Sequence, residues 1–537
     1  MPAGWLAFVL HAHLPFIRHP DRHDYLEERW LFEAITECYL PLLSVFEGWV
    51  RDQIPARLTL TMSPPLLNML ADPLLQDRYR QHMERLLLLG ELEIERTRGD
   101  DQFHPLAIMY HDRFAHHLHR FEHEYGRDLI GAFRRLMDQG ILEIIPCPAT
   151  HGYLPLMKDN PQAQRAQLQV AVDVYWQYFN RAPLGIWLSE CAYHPGLDQL
   201  LMEKGIGYFI TDAHGILYAT PQPRYGLFAP LRTPHGAAAF GRDMESSRQV
   251  WSKDEGYPGD VDYREYYRDV GYDQDFEYLR PFIHPEGIRL HTGFKYHRIT
   301  EREGHHKEAY VPEWAAGKAR QHAENFIFNR QQQVRYLNGL MDRPPMILSP
   351  YDAELFGHWW YEGPQFIDQV FRCRARVAPE LQMATPGDYL KSGLPIQPAE
   401  PCESSWGADG CHQVWLNETN HWLYRHLHQA ADRMVDLASR YHHPDGWQHR
   451  ILNQMARELL LAQSSDWAFI MKTGTTVKYA TNRSLYHLNN CTRLEEMLRN
   501  CDNGLHGAWL EELNDMEDRN NVFPSIDYRI YQTQAQH

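Results

Sequence analysis

The chain is poor in several features that mark specialised proteins. Its 537 residues include eight cysteines (Cys38, Cys147, Cys191, Cys373, Cys402, Cys411, Cys491 and Cys501), scattered without CxxC spacing. Zinc-finger and disulfide-scaffold readings therefore fail, and a reducing cytoplasm is the expected compartment. Long apolar runs are missing. The first, Trp5 to Leu10, is too short for a signal segment or a membrane span, so no membrane partner is expected. Basic charge is in deficit: the formal net charge is −17, which leaves no surplus to neutralise phosphates and excludes nucleic acid as the expected partner. Repeats and low-complexity tracts are absent. What remains, 44% hydrophobic and 23% charged residues, is the composition of a soluble globular protein whose ligand is neutral.

Aromatic residues, by contrast, are plentiful: 15 Trp, 30 Tyr and 22 Phe. Many cluster with histidine, glycine and acids in loop-like segments such as "GHWWYEG" and "SSWGADGCHQVW". Flat rings with polar edges suit sugars, whose C–H faces pack on aromatics while their hydroxyls take hydrogen bonds.

Short apolar runs recur along the chain, each ending in a polar group: "GWLAFVLHAHLPF", "ARLTLTMSPPLL", "LEIIPCPATHGYLPL", "LGIWLSE", "GYFITDAHG", "IRLHTGF" and "PPMILSPYDAELFG". Helical patterns lie between them, at Pro161 to Phe179 and Leu197 to Lys204 for example. Strands alternating with helices predict an α/β fold with a parallel sheet, and polar groups at strand ends predict a barrel or open sheet with its active face there. Two insertions interrupt the rhythm: a helical excursion at about 70–138 and a Gly-, Pro-, Tyr- and Asp-rich stretch at 221–280 that reads as long loops over the active face. After the linker "KSGLPIQPAEPCESS" the pattern turns helical, with Glu418 to Tyr441, Gly446 to Gln463 and Leu485 to Asn500.

Chemistry concentrates at the strand ends. His11 and His13 stand two apart, hence on one face of a strand. His151 follows another apolar run, and "TDAH" supplies Asp212 and His214. Asp352 ends one strand and Glu190 another. Two such acids are the minimum set for glycoside chemistry, one attacking while the other donates a proton.

"HAHLPF", "EIIPCPATHGYLP", "WLSECAYHPG", "SPYDAELFGHWW" and "LLLAQSSDWAF" occur in this order along the chain. They resemble the five signature regions of glycoside hydrolase family 57, and the length and helical tail resemble its α-1,4-glucan branching enzymes. The resemblance spans essentially the whole chain. It implies an incomplete (β/α)7 barrel over residues 1–395, carrying the helical insertion and the active-site loops, and an all-helical carboxy-terminal domain over 396–537. It further implies a retaining mechanism on α-1,4-glucan (amylose or a glycogen-type polymer), with Glu190 as nucleophile, Asp352 as general acid/base, and no cofactor or metal.

Retention requires the two carboxyls to sit about 5–5.5 Å apart, and their proton affinities are expected to diverge. By the same resemblance His11, His13, His151 and Asp212 bind substrate, Trp359, Trp360, Trp406 and Trp415 are stacking platforms, and Asp466 with Trp467 belongs to the rim contributed by the tail. Branching members carry a tyrosine at the tip of a mobile loop over the acceptor side. Here no tyrosine lies between Tyr225 and Tyr257, and Ala237, Ala238 and Ala239 stand where the tip is expected. A missing aromatic lid predicts appreciable hydrolysis beside branching. Rival readings are a family 57 amylase or 4-α-glucanotransferase and, in another class, a metal-dependent deacetylase liganded by His11, His13, Asp212 and His214.

Overall fold

The computed structural model describes residues 2–23, 25–252, 255–301, 304–500 and 504–533. Among the described residues ten strands are present: β1 (Gly4–Ala12), β2 (Leu58–Met62), β3 (Leu142–Ile145), β4 (Gly185–Trp187), β5 (Tyr208–Thr211), β6 (Leu231–Arg232), β7 (Ala238–Gly241), β8 (Met346–Asp352), β9 (Leu381–Met383) and β10 (Gln397–Pro398). Every residue of β1 is buried, as the near-continuous apolar run of a strand covered on both faces requires. One sheet runs β3-β2-β1-β8, with β9 beside the first half of β1; the other runs β10-β6-β7-β5-β4. All pairings are parallel except β6 with β7.

The two sheets meet at both sides. The Trp187 amide donates to the Pro146 carbonyl at 3.0 Å, and the Asp243 amide donates to Leu348 at 2.8 Å. Alternate residues of six strands (among them Ala7, Ile145, Trp187, Ile210, Ala238 and Leu348) converge in one apolar cluster between the sheets. Their neighbours on β1 and β8, such as Phe8 and Ile347, pack outward into the larger core shared with the helices. Register then sets the active face: His11 on β1 is level with Thr61 on β2 and Asp352 on β8.

The helical excursion is built of helices Pro73–Arg96, His104–His119 and Leu129–Asp138. The predicted helix Pro161–Phe179 is present, and its Asn160 cap accepts from the Ala163 amide. The tail carries helices His421–Arg440, Gly446–Ala462, Ser465–Thr473, Val477–Asn500 and Ala508–Arg519. Its fourth helix starts at Val477, a full two turns before the expected Leu485. Seven cysteines are free thiols, while Cys501 lies outside the described residues. Among the described residues no helix is long and apolar enough to cross a membrane.

The stretch 221–280 departs from expectation. Ala237, Ala238 and Ala239 do not tip a mobile loop: all three are fully buried, and the last two belong to β7. The strand alternation sends Ala237 and Ala239 into one apolar cluster and Ala238 into the other. Methyl-sized side chains let β7 fit between packed layers, so a tyrosine introduced at Ala238 would overpack the interior and could not act as a lid.

Candidate active site

The strand ends open on one cavity of about 660 Å³, a size typical of small-ligand sites. His11, His13, His151, Glu190, Asp352, Trp359, Trp406 and Asp466 line it. Sequence reasoning assigned no role to six further lining residues, Leu14, Arg242, Trp251, Glu354, Leu355 and Phe469. Two carried a readable signal: Arg242 follows an apolar run, and Glu354 lies two residues past Asp352.

Glu190 stands three residues beyond β4 in a strained turn. Its φ is +62° and that of Cys191 is +51°, left-handed values that cost a non-glycine residue on the order of 1–2 kcal/mol each. The turn is held by the Trp406 amide, which donates to the Glu190 carbonyl at 2.9 Å, and by the Cys191 amide on Leu188 at 2.9 Å. The carboxylate receives the Trp406 indole N–H at 2.7 Å and the Ser465 hydroxyl at 3.2 Å. Burial pushes the proton affinity of this carboxyl up to about 7, with the Trp406 hydrogen bond opposing.

Asp352 ends β8 and accepts no side-chain hydrogen bond among the described residues. Burial, then the neighbouring Glu354 charge, push it up to about 7 as well. Glu354 receives the Tyr39 hydroxyl at 2.5 Å and the His13 amide at 3.2 Å, and burial raises it to about 7. The expected divergence between Glu190 and Asp352 is absent: burial raises both to about 7, although donors point at Glu190 and Glu354 and, among the described residues, none points at Asp352.

The histidines form a stacked group. The His11 ring lies 4.7 Å from the Trp187 ring, and the His13 ring 4.0 Å from that of His151. His11 Nε2 and His151 Nε2 share a hydrogen bond at 3.0 Å, and the other nitrogen of His11 meets the Thr61 hydroxyl. Burial holds both rings far below the usual imidazole range, hence neutral. His13 differs. Although burial opposes its charge, Asp466 at 3.0 Å raises it, and Asp466 is in turn held down at about 2.

Among the described residues, the group whose donor atoms converge tightly enough for a cation is His13, His151 and Asp466, all within 4.8 Å. These atoms are already engaged with one another, with His11 and with the Ser464 and Ser465 hydroxyls. The tail delivers Asp466 because the Ser465 amide bonds to the His151 carbonyl at 3.1 Å.

Several expected roles need correction. Asp212 does not line the cavity. One of its oxygens meets Arg242 at 2.7 Å and the other His214 Nδ1 at 2.9 Å, so it is a partner of the lining Arg242. His214 Nε2 is bonded to the Gly410 carbonyl at 2.8 Å, which leaves neither residue of the pair free as a metal ligand. Trp359 is 55% exposed and stacks on Tyr266 at 4.5 Å. Its neighbour Trp360 is 1% exposed, because the tight turn closed by the Gly357 amide on the Trp360 carbonyl sends consecutive rings in opposite directions. Trp415, also 1% exposed, stacks on Tyr153 at 4.5 Å behind Trp406. Trp467, 1% exposed, donates to the Leu461 carbonyl at 2.8 Å and packs inside the tail. These three indoles offer no face to a sugar.

A pocket with paired buried carboxyls, two neutral imidazoles and two exposed indoles, set on the strand ends of an α/β fold, is that of an enzyme acting on glycosides. Residues 7–333 match the family described as Glycosyl hydrolase family 57, and residues 426–531 match 1,4-alpha-glucan branching enzyme, C-terminal. The chain belongs to glycoside hydrolase family 57.

It is 33% identical to a 1,4-alpha-glucan branching enzyme of Thermococcus kodakarensis, covering 97% of this chain and 78% of the relative. Among solved structures, it is similar to the alpha-amylase AmyC of Thermotoga maritima, with a TM-score of 0.92, 42% identity and full coverage of both chains. It is also similar to a branching enzyme of Pyrococcus horikoshii, with a TM-score of 0.89, 33% identity, and coverage of 99% of this chain and 97% of the other.

Proposed function

We propose that this protein is a retaining 1,4-α-glucan branching enzyme that builds α-1,6 branches and also hydrolyses its substrate appreciably. Glu190 attacks the anomeric carbon of an α-1,4-linked chain while Asp352 protonates the departing oxygen. Asp352 then takes the proton of the acceptor, a glucose 6-hydroxyl for branching or water for hydrolysis. The observation that carries this reading is the unequal provision for two buried carboxyls on one cavity: hydrogen-bond donors serve Glu190 and, among the described residues, none serves Asp352. His11, His13 and His151 hold sugar hydroxyls around the cleaved bond, and Trp359 and Trp406 stack against the chain. The catalytic unit is an incomplete seven-stranded barrel, β1-β2-β3-β4-β5-β7-β8, spanning residues 1–395, and the tail from 396 is a helical unit that lends Asp466 to the site. The two bonds between the sheets and the shared interior cluster support closure.

A hydrolytic reading has its own support. The amylase of Thermotoga maritima is 42% identical, and the acceptor-side stretch lacks a tyrosine. That stretch supplies Trp251 instead, 40% exposed at the end of helix Met244–Trp251 and lining the cavity. Incubation with amylose, scoring α-1,6 linkages and reducing ends separately, tests the choice. New linkages are expected together with reducing ends; reducing ends alone would make the protein an amylase.

A further inference from the structure

We infer that Arg242 is a positioning residue for charge: it stabilises the carboxylate form of Asp352, and Asp212 holds it in place to do so. The inference rests on the retaining roles of Glu190 and Asp352 proposed above. In the first step a Glu190 oxygen bonds to the anomeric carbon, the glycosidic C–O bond breaks, and its electron pair leaves with an oxygen that takes the Asp352 proton. Total charge is unchanged, but the negative charge moves from Glu190, now an ester, to Asp352. In the second step the acceptor oxygen bonds to the same carbon, the electron pair of the ester bond returns to Glu190, and the acceptor proton goes to Asp352. A cation that favours anionic Asp352 therefore favours the covalent intermediate and poises the base for the acceptor.

Arg242 is placed for this. It follows β7 directly, its amide donates to the Thr211 carbonyl at 3.1 Å, and the next amide, of Asp243, bonds to β8 through Leu348. Its side chain is 13% exposed, lines the cavity with Glu190 and Asp352, and lies 5.7 Å from the Trp406 ring. Asp212 holds one edge of the guanidinium at 2.7 Å, and the chain from Asp212 through His214 to the Gly410 carbonyl anchors that grip to the loop bearing Trp406. The Nε–H is buried and has no hydrogen-bond partner among the described residues. Asp212 does not line the cavity, so the ion pair presents its positive end to the site.

Among the other groups around Asp352, His11 is neutral and Glu190 and Glu354 are acids, while His13, paired with Asp466, acts on Asp352 in the same direction as Arg242. Arg242 also lowers the proton affinity of Asp352, in keeping with this placement.

The test is the pH dependence of kcat/KM on amylose for wild type, Arg242→Gln and Arg242→Lys. The basic limb reports loss of the Asp352 proton in the free enzyme. Removing the cation should move that limb up by about one pH unit and lower kcat by about tenfold or more, whereas lysine should restore the limb to within a few tenths of a unit. If Arg242→Gln is too slow for a profile, the Asp352 carboxyl can be titrated by its carbon NMR shift in Glu190→Gln and in Glu190→Gln/Arg242→Gln. The same upward displacement is expected there. An unmoved limb, or an unmoved titration, overturns the inference while leaving the roles of Glu190 and Asp352 intact; an active Glu190→Gln enzyme would instead remove the reading beneath it.

Discussion

Trp406→Phe isolates one hydrogen bond in an otherwise crowded site. The substitution keeps a ring beside Trp187, whose indole it meets edge-on at 5.1 Å, and deletes the N–H that reaches Glu190 Oε2 at 2.7 Å. A hydrogen bond to a charged group contributes about 1.5–3 kcal/mol, and 1.36 kcal/mol corresponds to one pH unit. The donor stabilises the carboxylate, so its loss raises the proton affinity of Glu190 by about one to two units above its present value, which burial already places at about 7. Activity requires Glu190 ionised and Asp352 protonated, which makes Glu190 the acid limb of the bell and Asp352 the basic limb. The acid limb of kcat/KM should therefore move to higher pH while the basic limb stays. At pH 6 the rate should fall about 10- to 100-fold, and because Asp352 still loses its proton at about 7, raising the pH should not restore it. The assay is the release of reducing ends from amylose across the pH range, with maltoheptaose binding as a control. An acid limb that stays in place, in a variant that binds maltoheptaose normally, would show that this hydrogen bond does not govern the nucleophile.

Three further outcomes are expected. Glu190→Gln and Asp352→Asn should each lower turnover of α-1,4-glucan by about three orders of magnitude or more with circular dichroism unchanged; a loss of only tens of percent in either would remove that residue from its role. Trp251→Ala should raise the ratio of reducing ends to branches several-fold, since a tenfold change in partition needs only about 1.4 kcal/mol, and an unchanged ratio would exclude control of the acceptor by this ring. Asp466→Asn should cost stability in a pH-dependent way. The carboxyl is depressed from 3.8 to about 2, so its contribution of about 2 kcal/mol is present above pH 4 and disappears as the pH falls through about 2; denaturant melts giving equal differences between variant and wild type at pH 7 and pH 2.5 would refute the assignment.

Much of the site could be read directly from the chain. The strand ends bearing His11, His13, Glu190 and Asp352 are visible because a short apolar run that stops at a polar group is a local pattern, and burial of the run forces the group to its end. The helix Pro161–Phe179 was equally legible, with asparagine and proline at its start. Other features depended on contacts between distant segments.

"HWW" does not say which indole meets the cavity, since that follows from a turn whose two ends pair through Gly357 and Trp360. The resemblance puts three alanines at a loop tip, yet they lie in and beside β7, where the layers on either side leave room for nothing larger. The strand end gives Asp212 the look of a substrate ligand, but Arg242, thirty residues later, pairs with it. Asp466 reaches His13 across 453 residues of chain. Local order along a strand or helix is dictated by neighbouring residues, and these the sequence states. Which polar group is neutralised and which ring is covered depends on atoms far away in sequence, because desolvation and Coulomb pairing act through space, and only the tertiary structure decides them.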